Sequence, residues 1–160
     1  MSKRHAAMFQ PMTDSSVLAP LLKQQLSLAQ FDGLNWLLYC WYGHRSSILA
    51  DEAGVGKKVQ AIALLQYLCS AQEMRPFGCS TFLILTPTVD RVQVWQREID
   101  RWANDLNVVT FTDGSLVSEL QREMSEKLRL VGTTSNDKGN VVVIATIHAL
   151  KRSEASHGGD

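Results

Sequence analysis

Two short, continuous apolar runs constrain the fold of this chain more than any other feature. Residues 81–86 are Thr-Phe-Leu-Ile-Leu-Thr, and residues 141–145 are Val-Val-Val-Ile-Ala. Runs of this length without polar alternation are typical of strands that are covered on both faces of a parallel sheet. A third candidate strand lies at 108–112, and helical patterns separate the three. This alternation predicts an α/β fold with a parallel sheet.

The segments around these strands carry helical periodicity. Leu34, Leu37, Leu38 and Trp41 fall at i, i+3, i+4 and i+7, on one face of a helix that Gly43 is expected to end. Three further helices are predicted from segments that are apolar along one stripe or nearly all round: 59–69, 92–102 and 116–128. A polar loop is predicted at 132–140.

The composition indicates a soluble protein of one domain. Apolar residues make up 45% and charged residues 20% of the 160 residues. Sixteen basic side chains balance sixteen acidic ones, so any attraction to nucleic acid must come from a local patch. We find neither a membrane-spanning run nor a secretory h-region. We expect a flexible leader at 1–20, a folded part at 21–150 and a disordered tail at 151–160.

The cysteines and histidines form no metal-binding pattern. Cys40, Cys69 and Cys79 have neither zinc nor redox spacing, and their odd number argues against a closed set of disulfides. We interpret them as buried or bystander thiols and predict no metal site from these side chains.

The sharpest local feature is a glycine-containing turn between an apolar segment and a helix. Residues 47–50 are predicted to form the strand that enters the turn. Gly54 and Gly56 permit a loop that directs its N–H groups inward, and Lys57 follows where a lysine reaches β- and γ-phosphates. The N-terminus of the helix adds its positive end. The order favours a phosphate loop over an ordinary strand-to-helix turn, in which glycine is also common.

Two positions depart from the general phosphate-loop pattern. Asp51 stands where the first glycine is usual, and Lys58 stands where Ser or Thr is usual. The hydroxyl of that Ser or Thr normally ligates Mg²⁺. A lysine ammonium has no lone pair to offer and places a positive charge beside the cation. We therefore expect the loop's metal ligand to be missing.

A series of short segments carries a family resemblance. They are Gln30, Gly33-Leu34-Asn35-Trp36-Leu37-Leu38, Ile48-Leu49-Ala50-Asp51-Glu52, Gln60-Ala61-Ile62, Trp95-Gln96-Arg97-Glu98-Ile99, Trp102-Ala103 and Asp105-Leu106-Asn107-Val108-Val109. In this order they resemble the start of the motor of Swi/Snf-type chromatin remodelling ATPases, most of all the chromodomain-helicase-DNA-binding and imitation-switch remodellers. The similarity covers about residues 26–150. The sequence departs from the family at Ala29, Ala53, Val55 and Lys58, where tyrosine, methionine, leucine and threonine are expected.

The resemblance implies a fold, an activity and partners. The implied fold is an α/β, parallel-sheet P-loop (RecA-like) lobe, here incomplete, in which 21–150 is part of the helicase ATP-binding domain. In the family, two such lobes hold ATP between them and use Mg²⁺. The implied activity is DNA-stimulated ATP hydrolysis that drives DNA translocation and nucleosome sliding in the nucleus. The implied partners are DNA or the nucleosome and the rest of the motor, including the second lobe.

Motif matches imply two sets of contacts. Gln30 takes the role of the adenine-reading glutamine, although it has the simpler interpretation of a solvated helix residue. Pro87 and Thr88 fall in the first DNA-backbone motif and Thr146 in a later one, where neutral groups hold phosphates without reading sequence. Thr88 has the simpler interpretation of a helix cap. The loop residues implied to hold the nucleotide are Asp51, Glu52, Gly54, Val55, Gly56, Lys57 and Lys58.

The carboxylates that complete catalysis are missing from this sequence. No Asp-Glu-x-His follows 141–145, and residues 154–157 resemble it without a strand leading into them. Because phosphoryl transfer depends on positioning and charge stabilisation, we expect the chain alone not to hydrolyse ATP. Two interpretations stay open: the ATP-binding part of a remodeller motor, or a degenerate interaction module or truncated product. A small phosphate-loop kinase is disfavoured, because neither substrate-phosphate arginines nor an acidic strand end is found.

Overall fold

The computed structural model describes residues 10–70, 81–104, 106–112, 117–131 and 141–155. Within these ranges the helices are α1 (Leu28–Tyr42), α2 (Lys57–Ser70), α3 (Val89–Trp102), α4 (Val117–Val131) and α5 (Ile147–Ala155). The strands are β1 (Thr81–Thr86), β2 (Asn107–Phe111) and β3 (Val141–Thr146). The chain divides into two compact units, one of residues 1–77 and 98–105 and the other of residues 78–97 and 106–160, with the boundary inside α3.

The second unit is built on a three-stranded parallel sheet in the order β1-β3-β2. β3 lies between the other two strands, and all six of its residues are buried. Its apolar side chains pack with those of β2 against α4 and α5, around Val109, Phe111, Val143 and Ala145. The continuous apolar run at 141–145 is therefore explained by its central place in the sheet. The predicted α/β class with a parallel sheet is confirmed.

The strand β1 has the predicted residues, but its side chains are more exposed than the sequence predicts. Leu83 is 55% exposed and Leu85 is 49% exposed, although the apolar run predicts a strand covered on both faces. Leu83 and Leu85 are two residues apart and therefore lie on the same face of β1, which is covered less than the run predicts. β1 is also at one end of the strand order, where it pairs with β3. An apolar run of six residues does not distinguish a central strand from an edge strand.

The first unit contains the helices α1 and α2, which pack on each other. Ser27 caps α1, with Ser27 and Gln30 forming a reciprocal capping box. The face predicted from periodicity is confirmed, since Leu34, Leu37 and Leu38 are buried and Gly43 ends the helix. In α2 every residue is at least partly buried, in agreement with its apolar surface on all sides.

Two sequence expectations are wrong in the described residues. Residues 47–50 form no strand, and Ile48 is 84% exposed. In the described part of that unit the one strand-type pairing joins Leu22 to Ala103, so the segment lacks the pairing that a strand requires. The tail is helical through Ala155 rather than disordered from Lys151, because Thr146 caps α5.

Residues 10–20 of the leader are described, and the flexibility expected of the leader stays a prediction. Ser15–Leu18 forms a 3-10 helix that Asp14 caps, and Leu18 is buried. The backbone of Met12 exchanges two hydrogen bonds with the side chain of Asn35, at 2.9 and 3.0 Å. This part of the leader is therefore held against α1. The polar loop predicted at 132–140, residues 1–9 of the leader, 156–160 of the tail and Cys79 lie outside the described residues.

Candidate phosphate-binding site

The glycine loop leads directly into α2, which begins at Lys57. Gly54 and Gly56 have φ angles of 95° and 99°, in the left-handed region that a residue with a side chain adopts only at a cost. The predicted turn and helix are therefore present, whereas the predicted entering strand is not.

The ammonium group of Lys57 bonds to the loop itself. Its Nζ donates to the carbonyl oxygen of Asp51 at 2.6 Å and to that of Glu52 at 2.9 Å. The lysine thus folds back along the loop and closes it. A phosphate that binds here must offer the ammonium better acceptors than these two neutral carbonyls, and a charged oxygen does so.

Gln30 links α1 to the same loop. Its Oε1 accepts from the Ser27 N–H at 3.1 Å as part of the capping box, and its Nε2 donates to the Val55 carbonyl at 3.1 Å. A Cβ added at Gly56 would collide with the Gln30 amide. Gln30 therefore stabilises the loop through a hydrogen bond and is not the solvated helix residue of the simpler interpretation.

A second glutamine, Gln60, holds the loop from α2. Its Nε2 donates to Asp51 Oδ2 at 3.2 Å, and its side chain is 0% exposed. Its Oε1 has no hydrogen-bond partner among the described residues and lies against Gly33 of α1. Three side chains from two helices therefore hold the loop: Gln30, Lys57 and Gln60.

The charge distribution at the start of α2 favours an anion. The first two residues of the helix are Lys57 and Lys58, and its first turn contains no acidic residue. Two cations at the positive end of a helix dipole are each unfavourable by about 0.3–1 kcal/mol. A phosphate group would reverse this repulsion and would accept from the N–H groups of the first turn. The residues present fit a nucleotide phosphate.

The same residues do not fit a loop-bound Mg²⁺. Lys58 occupies the position of the usual hydroxyl ligand. In the described segments, no three His, Cys, Asp or Glu side chains are grouped so as to hold a metal ion.

The residues matched to DNA-backbone motifs lie in the second unit, at the carboxyl ends of β1 and β3. Thr86 and Thr146 are paired in the sheet, and Pro87 and Thr88 follow β1 as exposed residues. Thr146 is 1% exposed, and its hydroxyl accepts from the Ala149 N–H at 3.2 Å. In this conformation that hydroxyl caps α5, and its contact with a DNA phosphate stays a prediction.

Several contributors to the site were not predicted to act there. The reciprocal hydrogen bonds between Ser27 and Gln30 follow the Ser-x-x-Gln capping pattern, which the sequence shows. Separately, in the second unit, the Thr86 hydroxyl donates to the Thr88 carbonyl at 3.2 Å, a contact that no sequence signal indicates. The contacts of Gln60 with Asp51 and with Gly33 join separate segments. No local pattern predicts them.

The cysteine and tryptophan interpretations agree with the described structure. Burial raises the pKa of the Cys40 thiol, with the charge of Arg45 acting in the opposite direction, and Cys69 is also buried. Trp102 is buried and Trp95 is half-buried, as expected of core residues. Among the helices that can be described, none combines the length and the apolar character needed to cross a membrane.

The parallel sheet with its helices and the glycine-loop-to-helix turn define the class of protein as an α/β protein with an incomplete RecA-like lobe. Residues 29–158 match the SNF2-related domain. The chain therefore belongs to the SNF2-related domain family, that of the Snf2-type chromatin remodelling ATPases.

Individual relatives are chromodomain-helicase-DNA-binding proteins. Protein 8 of Danio rerio is 37% identical over 118 residues, which are 74% of this chain and 4% of that protein. Protein 9 of Mus musculus is 43% identical over 94 residues, 59% of this chain and 3% of that protein. Protein 1 of Homo sapiens is 42% identical over 82 residues, 51% of this chain and 4% of that protein. The chain thus spans a few per cent of the length of these relatives.

Proposed function

We propose that this chain forms the ATP-binding portion of a DNA-dependent ATPase that remodels chromatin by DNA translocation. The observation that carries the proposal is the loop of Gly54 and Gly56, with Lys57 at its end and at the first position of α2. This arrangement directs a lysine ammonium and a helix N-terminus to one place, which is what a nucleotide phosphate requires.

Nucleotide binding proceeds by an exchange of hydrogen bonds. Lys57 leaves the carbonyls of Asp51 and Glu52 for phosphate oxygens, which bind an ammonium more strongly. Gln30 leaves the Val55 carbonyl for the adenine, in the role that its family motif implies. The rest of the pocket is supplied by Asp51, Glu52, Gly54, Val55, Gly56 and Lys58. The affinity is weak, because the second lobe supplies part of the site.

The remaining parts of the proposal concern partners. Exposed Pro87 and Thr88 contact the DNA backbone through neutral groups at the edge of the sheet. The partners are nucleosomal DNA and the rest of the motor, and the protein acts in the nucleus. Residues 21–150 are the partial lobe, which does not complete ATP hydrolysis without the acidic motif and the second lobe.

Replacing Lys57 by alanine tests the proposal directly. The substitution removes a charge-assisted hydrogen bond to phosphate, so we expect the affinity for ATP to fall by ~1.5–3 kcal/mol. A fluorescent ATP analogue is titrated into the parent chain and into Lys57→Ala. The control is Lys23→Ala, because Lys23 Nζ likewise donates to a backbone carbonyl, that of Asp100 at 2.7 Å, away from the loop.

The proposal predicts that Lys23→Ala binds the analogue like the parent. Equal affinities of the parent and Lys57→Ala, or no binding by the parent, would contradict it. The latter result would favour the degenerate module.

The lysine at position 58 predicts an unusual metal dependence. Its ammonium takes a phosphate contact in place of the metal, so removing Mg²⁺ with EDTA should change the parent's affinity by no more than about threefold, equivalent to ~0.6 kcal/mol. In Lys58→Thr, which restores the hydroxyl ligand, the change should be larger. The control, Lys23→Thr, makes the same change of charge elsewhere. A parent that depends on Mg²⁺ more strongly than Lys58→Thr would show that the role of Lys58 is different.

A further inference from the structure

Gln60 is a buried residue beside the glycine loop. None of the nucleotide contacts proposed above involves it. Its amide N–H binds the Asp51 carboxylate, while its amide oxygen is buried without a partner among the described residues. Leaving a buried acceptor unpaired is unfavourable. An apolar side chain of similar size would avoid that cost, so the amide must contribute something that packing alone does not.

Gln60 and Lys57 both donate hydrogen bonds to Asp51, which suggests what the Gln60 amide contributes. They are three residues apart on α2, on the same face of the helix, and both extend back to Asp51. Lys57 bonds to the carbonyl of Asp51, whereas Gln60 bonds to its carboxylate. Asp51 is thus held at two points from a single helix face.

The three side chains that hold the loop differ in whether their hydrogen bonds to it must break when a nucleotide binds. If the proposed function is correct, Lys57 gives up its bonds to the loop for phosphate, and Gln30 gives up Val55 for the base. Gln60 is the one of the three whose bond to the loop need not break. Without that bond, Asp51 would lose both of the hydrogen bonds that it accepts from side chains of α2 when the nucleotide binds.

We propose that Gln60 is a positioning residue that anchors Asp51, so that the loop keeps its binding conformation while Lys57 and Gln30 change partners. This inference rests on the proposed function for its consequence and on the observed contacts for its geometry. Gly33 contributes to this anchoring, because a Cβ there would meet Gln60 Oε1 and would lie 2.6 Å from Gln60 Cδ. The close approach of α1 keeps the amide directed at Asp51.

The test compares Gln60→Leu with Gln66→Leu. Gln66 is also buried and lies on the same helix, farther from the loop, so its replacement controls for loss of a buried amide from α2. With the ATP analogue we expect Gln60→Leu to bind about five- to tenfold more weakly than the parent, and Gln66→Leu to bind like the parent. Asp51→Ala added to Gln60→Leu should cost less than Asp51→Ala alone, because the shared bond is already lost.

A second measurement separates this inference from the proposed function. Hydrogen–deuterium exchange at the backbone amides of residues 51–57 is followed without nucleotide. Faster exchange in Gln60→Leu than in Gln66→Leu would support the anchoring role even if the parent bound no ATP, a result that would overturn only the proposed function. Equal loop exchange in the two variants would overturn the inference.

Gly33→Ala provides a second variant in case Gln60→Leu does not fold. Alanine is favoured over glycine inside a helix, so the local effect on α1 is stabilising, but its methyl group displaces the Gln60 amide. We expect faster loop exchange here too, together with weaker ATP binding. Parent-like exchange in Gly33→Ala would count against the anchoring role.

Discussion

Gly56→Ala is expected to weaken ATP binding by at least about 30-fold, equivalent to ~2 kcal/mol. The φ angle of 99° at Gly56 costs a residue with a side chain ~1–3 kcal/mol. The added Cβ also collides with the Gln30 amide, so the hydrogen bond from Gln30 to Val55 is lost, at a further ~0.5–1.5 kcal/mol. The loop therefore leaves its conformation. Titration with the fluorescent analogue measures the loss.

Gly54→Ala is the matched control for this prediction. Gly54 has a similar φ of 95°, but a Cβ there meets no atom within 4 Å. Its replacement introduces the strain without the collision, so the loss of affinity should be smaller than in Gly56→Ala. Equal effects at Gly54 and Gly56 would show that Gln30 contributes nothing to the loop.

Self-association of the isolated 160-residue chain is the second large effect that we expect. Ile48 is largely exposed in a segment that forms no strand, and Leu83 and Leu85 are exposed on a strand at the end of the sheet order. Exposed apolar residues on an edge strand favour pairing with another chain. Light scattering after size-exclusion chromatography should give a mass above that of one chain, and circular dichroism should show a broad thermal transition.

Charged substitutions test the cause of the association. Leu83→Lys places a charge on the exposed face of β1 and should raise the monomer fraction. Leu28→Lys makes the same change at another exposed leucine, at the start of α1, and controls for the added net charge. A monodisperse parent with one sharp, cooperative unfolding transition would contradict the prediction, and equal effects of the two variants would place the association elsewhere.

The local sequence determined most of the secondary structure. The apolar runs predicted β1 with its observed ends and β3 to within one residue, and β2 begins one residue earlier than expected. The stripe of Leu34, Leu37 and Leu38 predicted the buried face of α1. These features depend on periodicity within a few residues, which any segment carries with it. The glycine loop and its lysine were predictable for the same reason, because two glycines and the start of a helix are adjacent in the chain.

The tertiary structure decided which of these features became paired, buried or exposed. Residues 47–50 have the composition of a strand, but a strand forms only where another supplies its hydrogen bonds, and no local pattern reveals that partner. Thr146 is buried at the end of the central strand, where its hydroxyl caps α5. The anchoring of Asp51 by Gln60, against Gly33, joins three segments that are distant in the chain. The sequence by itself determined a glycine loop with a lysine at the start of a helix, and only the packing of α1 and α2 decided how that loop is held.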